Sequence, residues 1–118
     1  MISYNDIVWE VDGLPKRAME VLTETMFYVL MALNNSDMCG TDIAAFVKKR
    51  TAGRVALGPA TLYTILSKFE AEQYIREVAV EGRKRTYALT PRGAGAFYEE
   101  LTRLRMCVAD AEKGGEQA

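Results

Sequence analysis

The stretch that most restricts what this chain can fold into is GPATLYTILSKFEAEQYI, residues 58–75. Gly58-Pro59 opens a helix, because proline at the first helical position gives up an amide that would lack a partner and already has a helical φ. On a helical wheel Leu62, Ile65, Leu66 and Phe69 gather on one side. Ala60, Thr64, Ser67 and Ala71 lie opposite, with Tyr63 on one flank and Thr61 and Lys68 on the other. A solvated helix face ordinarily carries charged residues. This one is small, polar and nearly neutral, which suits close approach to another surface.

The flanking elements define the setting. Leu22, Met26, Val29 and Leu33 recur at helical spacing, and the pattern predicts a first helix from Pro15 to Asn34, stopped by NNSDMCG. Thr41 is placed to cap a second helix, with Asp42 near its positive end and Lys48, Lys49 and Arg50 at its negative end. Ile43, Phe46 and Val47 form its inward face. TAGR breaks the chain, and Val55–Leu57 reads as a short strand before the third helix. Tyr74–Val80 and Lys84–Leu89 are rich in β-branched and aromatic residues around Gly82, a hairpin. Thr90 and Pro91 start a last helix that runs to about Lys113. Its positions Ala94, Phe97, Leu101, Leu104, Val108 and Ala111 step by three and four, a heptad seam.

Helix, helix, short strand, helix, hairpin, helix is the order of a winged helix-turn-helix domain. The fold class is therefore mainly α with a small β-hairpin, followed by a dimerisation helix. The expected divisions are an N-terminal extension over residues 1–13, a winged-helix domain over 14–90, a dimerisation helix over 91–113 and a disordered tail over 114–118. The short strand before the third helix is expected to pair with the hairpin.

Charge distribution agrees with that order. Residues 1–47 hold seven acids and two bases, residues 48–92 ten bases and four acids, and residues 93–118 five acids and three bases. The mid-chain excess of +6 attracts a polyanion locally while the flanks repel it. A helix entering a major groove about 12 Å wide needs small side chains where it faces base pairs. Ala60 permits that approach, and Thr61, Thr64 and Ser67 are the candidates for base contacts. Tyr63 and Lys68 are placed to hold phosphates. Arg83, Lys84 and Arg85 stand together at the hairpin tip, where three adjacent cations suit a phosphate backbone or minor groove, the alternative being a solubilising loop. Lys48, Lys49, Arg50 and Arg54 offer a second basic rim. The partner is thus double-stranded DNA. The alternative is a winged-helix module that binds other proteins, and it predicts none of the salt dependence of phosphate binding.

The heptad seam predicts a homodimer through Phe97, Leu101, Leu104, Val108 and Ala111, since an exposed apolar stripe calls for a partner; the alternative is that the stripe packs on the chain's own core. Two third helices would then read half-sites about 34 Å apart in a palindromic operator.

Other classes fit poorly. The chain has no histidine, the commonest general base, and no Gly-rich phosphate loop or nucleophile elbow, so an enzyme is not expected. Cys39 and Cys107 without histidine cannot make a usual zinc shell, and no metal or cofactor is expected. Residues 1–12 carry Asp6, Glu10 and Asp12 without a basic start, unlike a secretory leader. The longest apolar run, Met26–Leu33, is eight residues, too short to span a bilayer. Free thiols then suit a reducing cytoplasm.

The residues also resemble the PadR family of bacterial transcriptional regulators over about residues 20–110. The resemblance lies in Thr61-Leu62-Tyr63 with Leu66, in Phe69-Glu70, in Tyr87 and in Leu89-Thr90-Pro91-Arg92-Gly93. It implies a dimeric, usually repressing DNA-binding protein whose short form ends in a single long helix. It also implies that a small aromatic effector can bind at the dimer interface, with Tyr4, Trp9, Tyr28, Phe97 and Tyr98 as candidate lining. Where relatives often carry His-Gly-Tyr-Glu-Ile, this chain has Cys39-Gly40-Thr41-Asp42-Ile43, so any role of that His and Tyr does not carry over.

Overall fold

The computed structural model describes residues 22–113, together with the backbone of a two-residue ladder, β1 (Val8–Trp9) with β2 (Pro15–Lys16). The first helix, α1, spans Glu24–Asn35. Pro15 therefore lies in a strand rather than at a helix start, and the helix expected from Pro15 begins nine residues later. Thr23 sets that start: its extended backbone and its Oγ1, which accepts from the Met26 amide at 3.2 Å, cap the first turn. Such a cap contributes about 1 kcal/mol. As expected from its apolar residues on several sides, α1 buries Phe27, Val29, Leu30, Ala32 and Leu33.

A two-residue strand, β3 (Met38–Cys39), leads directly into α2 (Gly40–Arg50). Cys39, not Thr41, is the N-cap of α2, and Thr41 already lies inside the helix. The Cys39 thiol donates to Asp42 at 3.1 Å rather than capping a backbone amide. The turn after α2 places Ala52 and Gly53 at positive φ. Val55–Leu57, expected as a strand, is irregular, although Val55 is buried and Thr51 bonds its amide at 3.0 Å. α3 spans Pro59–Ala71 and ends where Gln73 takes a left-handed φ of 62°.

The wing is β4 (Ile75–Glu81) with β5 (Lys84–Leu89), turned at Gly82, whose φ of 62° favours glycine. The sheet order is β3-β5-β4, all antiparallel. Met38 faces Tyr87 and Cys39 faces Thr86. The short strand that pairs with the wing thus precedes α2, not α3. This pairing positions the site, because it ties β5 to the very residues that open α2.

α4 (Pro91–Glu112) begins on a dense set of bonds. Thr90 accepts from the Gly93 amide at 3.0 Å, donates to the Gln73 carbonyl at 2.6 Å, and its own amide donates to the Tyr74 carbonyl at 2.9 Å. A side chain at Gly93 would put its Cβ 2.0 Å from the Tyr74 carbonyl oxygen, so only glycine lets α4 leave the wing this closely. The core is built from Leu30, Ile43, Val47, Leu62, Leu66, Phe69 and their neighbours, with Phe97 of α4 completing it.

The heptad seam divides along its length. Phe97 is 6 % exposed and belongs to the chain's own core, and Leu101 and Leu104 pack partly against that core. Val108 is 56 % exposed, and Ala111 and the neighbouring Met106 are also open. The expectation of one continuous partner-facing stripe is therefore corrected: its N-terminal part faces inward.

Candidate nucleic-acid interface

The face of α3 opposite Leu62, Ile65, Leu66 and Phe69 is open: Ala60, Thr61, Tyr63, Thr64, Ser67, Lys68 and Ala71 are all exposed. No acidic residue stands in the first turn, where the helix dipole and free amides favour an anion. The Thr64 hydroxyl donates to the Ala60 carbonyl at 2.9 Å. Its proton is thereby committed, which leaves oxygen lone pairs and a methyl group for a partner. Such a group can accept from a base amine or pack on a thymine methyl.

The wing lies on the same side of the molecule. Tyr63, Leu66, Ser67 and Glu70 of α3, Cys39 to Thr41 at the start of α2, and Arg83, Lys84, Arg85 and Tyr87 of the wing line one cleft of about 510 Å³. The β3–β5 pairing accounts for this, since it fixes Thr86 and Tyr87 beside Cys39 and Met38. Gly40 brings α2 and α3 close here, for a Cβ at that position would stand 3.2 Å from the Tyr63 hydroxyl.

The basic residues differ in how free they are. Arg83 and Lys84 have no ion-pair partner among the described residues. Arg85 points its Nε at the Glu77 carboxylate, 3.5 Å away. Arg54 is removed from the expected second rim. Its guanidinium donates to Glu24 at 2.6 Å and to the Tyr28 hydroxyl at 2.9 Å, so it braces the α2–α3 loop against α1. Arg50 lies over the Phe46 ring, 4.5 Å from its centroid, while Lys48 and Lys49 are exposed. None of these four lines the cleft.

Glu70, Tyr87 and Gly40 carry no functional role in the sequence reading, yet they line this cleft, and Glu77 reaches it only through its pairing with Arg85. Glu70 follows Tyr63 by seven residues and Ser67 by three, the spacing of one helical line, so the signal was present. Burial pushes the Tyr87 phenol above its ordinary value, the Glu70 charge pushes it further, and Arg85 opposes both.

The aromatic residues considered for an effector that lie among the described residues, Tyr28, Phe97 and Tyr98, sit in different settings. Phe97 fills the core, stacked on Phe27. Tyr28 is half-buried, edge-on to Phe27 and bonded to Arg54. Tyr98 is exposed, and its hydroxyl accepts from Asn34 at 3.3 Å. Tyr4 and the Trp9 side chain lie outside the described residues. No helix among the described residues is long and apolar enough to cross a membrane.

The family described as transcriptional regulator PadR-like matches residues 29–99. An uncharacterised 37.1 kDa protein in a transposon of Streptomyces fradiae is 36 % identical over 70 residues. That match takes in 59 % of this chain but only 20 % of the relative, so the chain spans about a fifth of that protein's length. Among solved structures, a transcriptional regulator from Clostridium thermocellum superposes with a TM-score of 0.68 at 21 % identity, covering 79 % of this chain and 97 % of the other. The PadR protein of Bacillus subtilis, solved in complex with operator DNA, gives 0.57 at 22 % identity over 64 % of this chain and 45 % of that one. At such identities these two structures establish the shared fold.

Proposed function

The chain belongs to the PadR-like family of transcriptional regulators, and from that premise we propose that it is a sequence-specific regulator that binds double-stranded DNA as a homodimer and represses transcription. In this reading α3 enters the major groove and the wing follows the neighbouring backbone. The observation that carries it is the shared cleft, in which Arg83, Lys84 and Arg85 of the wing stand across from Tyr63 and Ser67 of α3. A duplex laid there would meet cations on its phosphates and small hydroxyl-bearing side chains at its base edges.

The roles divide by chemistry. Ala60 allows the close approach, and Thr61, Thr64 and Ser67 offer hydroxyls to bases. Tyr63 and Lys68 hold phosphates on either flank of the helix, and Arg83, Lys84 and Arg85 hold the backbone through the wing. The winged-helix domain ends near Thr90, and α4 continues as the dimerisation helix. Its C-terminal part, with Val108 and Ala111 open, is the surface that a second copy would cover, while Leu101 and Leu104 sit at the margin between core and partner.

Selection of bound fragments from a random duplex library, with purified protein, tests the reading. Enrichment of a palindrome with half-sites about one helical turn apart is the expected result. Recovery of no preferred duplex, or of a single asymmetric site, overturns sequence-specific binding by a symmetric dimer. In a purified transcription reaction on a template carrying that site, added protein lowers transcript yield; a rise would make it an activator.

A further inference from the structure

Glu70 in the cleft and Glu77 on the neighbouring strand lie close to the wing cations, and nothing about phosphate binding asks for them. Glu70 lines the cleft from α3, on the helical line of Tyr63 and Ser67. It has no ion-pair partner among the described residues, although Arg83, Lys84 and Arg85 line the same cleft. Glu77 faces Tyr87 across the β4–β5 ladder. The ladder is irregular between Glu77 and Ala79, and the Glu77 carboxylate lies 3.5 Å from Arg85 Nε. Glu70 and Glu77 thus approach the Tyr87–Arg85 stretch of β5 from two elements. Among the described residues Arg85 is the one wing cation with a carboxylate within ion-pair distance, although Glu81 stands opposite Lys84 in the ladder.

We propose that Glu70 and Glu77 are specificity-determining residues that hold down binding to arbitrary duplex, so that the cleft closes firmly only on the right sequence. The inference rests on the DNA-binding reading given above. Attraction to arbitrary duplex comes almost wholly from phosphate neutralisation. A carboxylate inside the cleft opposes it in every register, and a carboxylate paired with Arg85 withholds one cation from the count. At the operator the balance differs. A glutamate on a helix in the major groove can accept from the N4 amine of cytosine, which offsets its repulsion at a matching base pair and nowhere else. Unpaired charge against the wrong partner is how discrimination is commonly built. A cleft lined by cations alone would bind more tightly and choose less well.

Glu70→Gln, Glu77→Gln and the double variant keep side-chain size while removing charge. Each would be titrated against a random-sequence duplex and against the selected operator over a salt series. Both variants are expected to bind random duplex more tightly. Glu77→Gln is expected to steepen the log–log salt slope by about one unit, or roughly threefold in affinity between about 50 and 200 mM salt. The operator gains less, so the ratio of operator to random affinity falls. Adding Arg85→Ala to Glu77→Gln abolishes that gain. If the Gln variants bind random duplex no better than the parent, or gain equally on both duplexes, the inference is overturned. A changed melting temperature with an unchanged salt slope would mark the carboxylates as purely structural, and would also overturn it. If the parent itself binds no duplex, it is the DNA reading that fails.

Discussion

Phe97 of α4 stacks on Phe27 of α1, with ring centroids 5.1 Å apart and 14° between the planes. Both rings are buried in the same core as Phe69 and Leu30. The helix expected to form a dimer seam is therefore, in its first half, also a structural part of the winged-helix unit. Phe97→Ala is expected to destabilise the folded chain by about 3–5 kcal/mol, the cost of emptying a large buried aromatic site. Urea titration followed by circular dichroism measures this. A loss below about 1 kcal/mol would show that the core does not depend on α4.

The second half of α4 behaves differently, because Val108 and Met106 are exposed where Phe97 is not. Val108→Glu should leave the single-chain fold unchanged by circular dichroism but shift sedimentation toward the monomer. DNA binding then weakens steeply, since one half-site loses its covalent-like tether to the other. A variant that sediments like the parent would place the partner surface elsewhere.

These two phenylalanine and valine positions show why the sequence was only partly legible. A three-four apolar spacing is identical whether the stripe faces its own core or a second copy, so the seam could be found but not divided. α3 and the wing were legible because Pro59, Gly82 and Thr90 are punctuation with local causes: a fixed φ, a left-handed turn and a side-chain cap. The strand that pairs with the wing was misplaced because Met38–Cys39 and Val55–Leu57 are both too short to show a period of two. Only the partner, β5, distinguishes them. Thr41 suits the cap of α2 by residue type, yet the β3 pairing fixes extended backbone at Cys39 and starts the helix at Gly40, two residues before a Thr41 cap would. Arg54 looked like part of a basic rim because its anchors, Glu24 and Tyr28, lie thirty and twenty-six residues away in sequence.

The Tyr87 phenol gives the cleft an alkaline sensitivity. Burial, then the Glu70 charge, raises its folded-state value above the ordinary one of about 10. Below that ordinary value both folded and unfolded chains keep the proton, and stability does not depend on this group. As pH rises past it, the unfolded chain releases the proton first, so stability falls until the folded-state value is also passed. Tyr87→Phe should therefore show a shallower loss of stability above about pH 10 than the parent. Denaturation midpoints measured on both proteins across that range check the sign; parallel curves would show that Tyr87 ionises alike in the two states.

The wing tip and α3 should fail in different ways when altered. Arg83 and Lys84 have no ion-pair partner among the described residues, so each can give its charge to phosphate without first breaking a bond. Arg83→Ala and Lys84→Ala are each expected to weaken binding to every duplex alike and to make the log–log salt slope shallower by about one unit. Thr64 carries no charge, and its hydroxyl proton is already held by the Ala60 carbonyl. Thr64→Ala removes an acceptor and a methyl from the face proposed to meet the bases. Its expected effect is a changed preference among operator variants with the salt slope unchanged. Fluorescence anisotropy on the operator, on single-base variants and on random duplex separates the two patterns. Should the wing-tip variants keep the parent slope, or should Thr64→Ala weaken all duplexes equally, the assignment of phosphate to the wing and bases to α3 would have to be exchanged or abandoned.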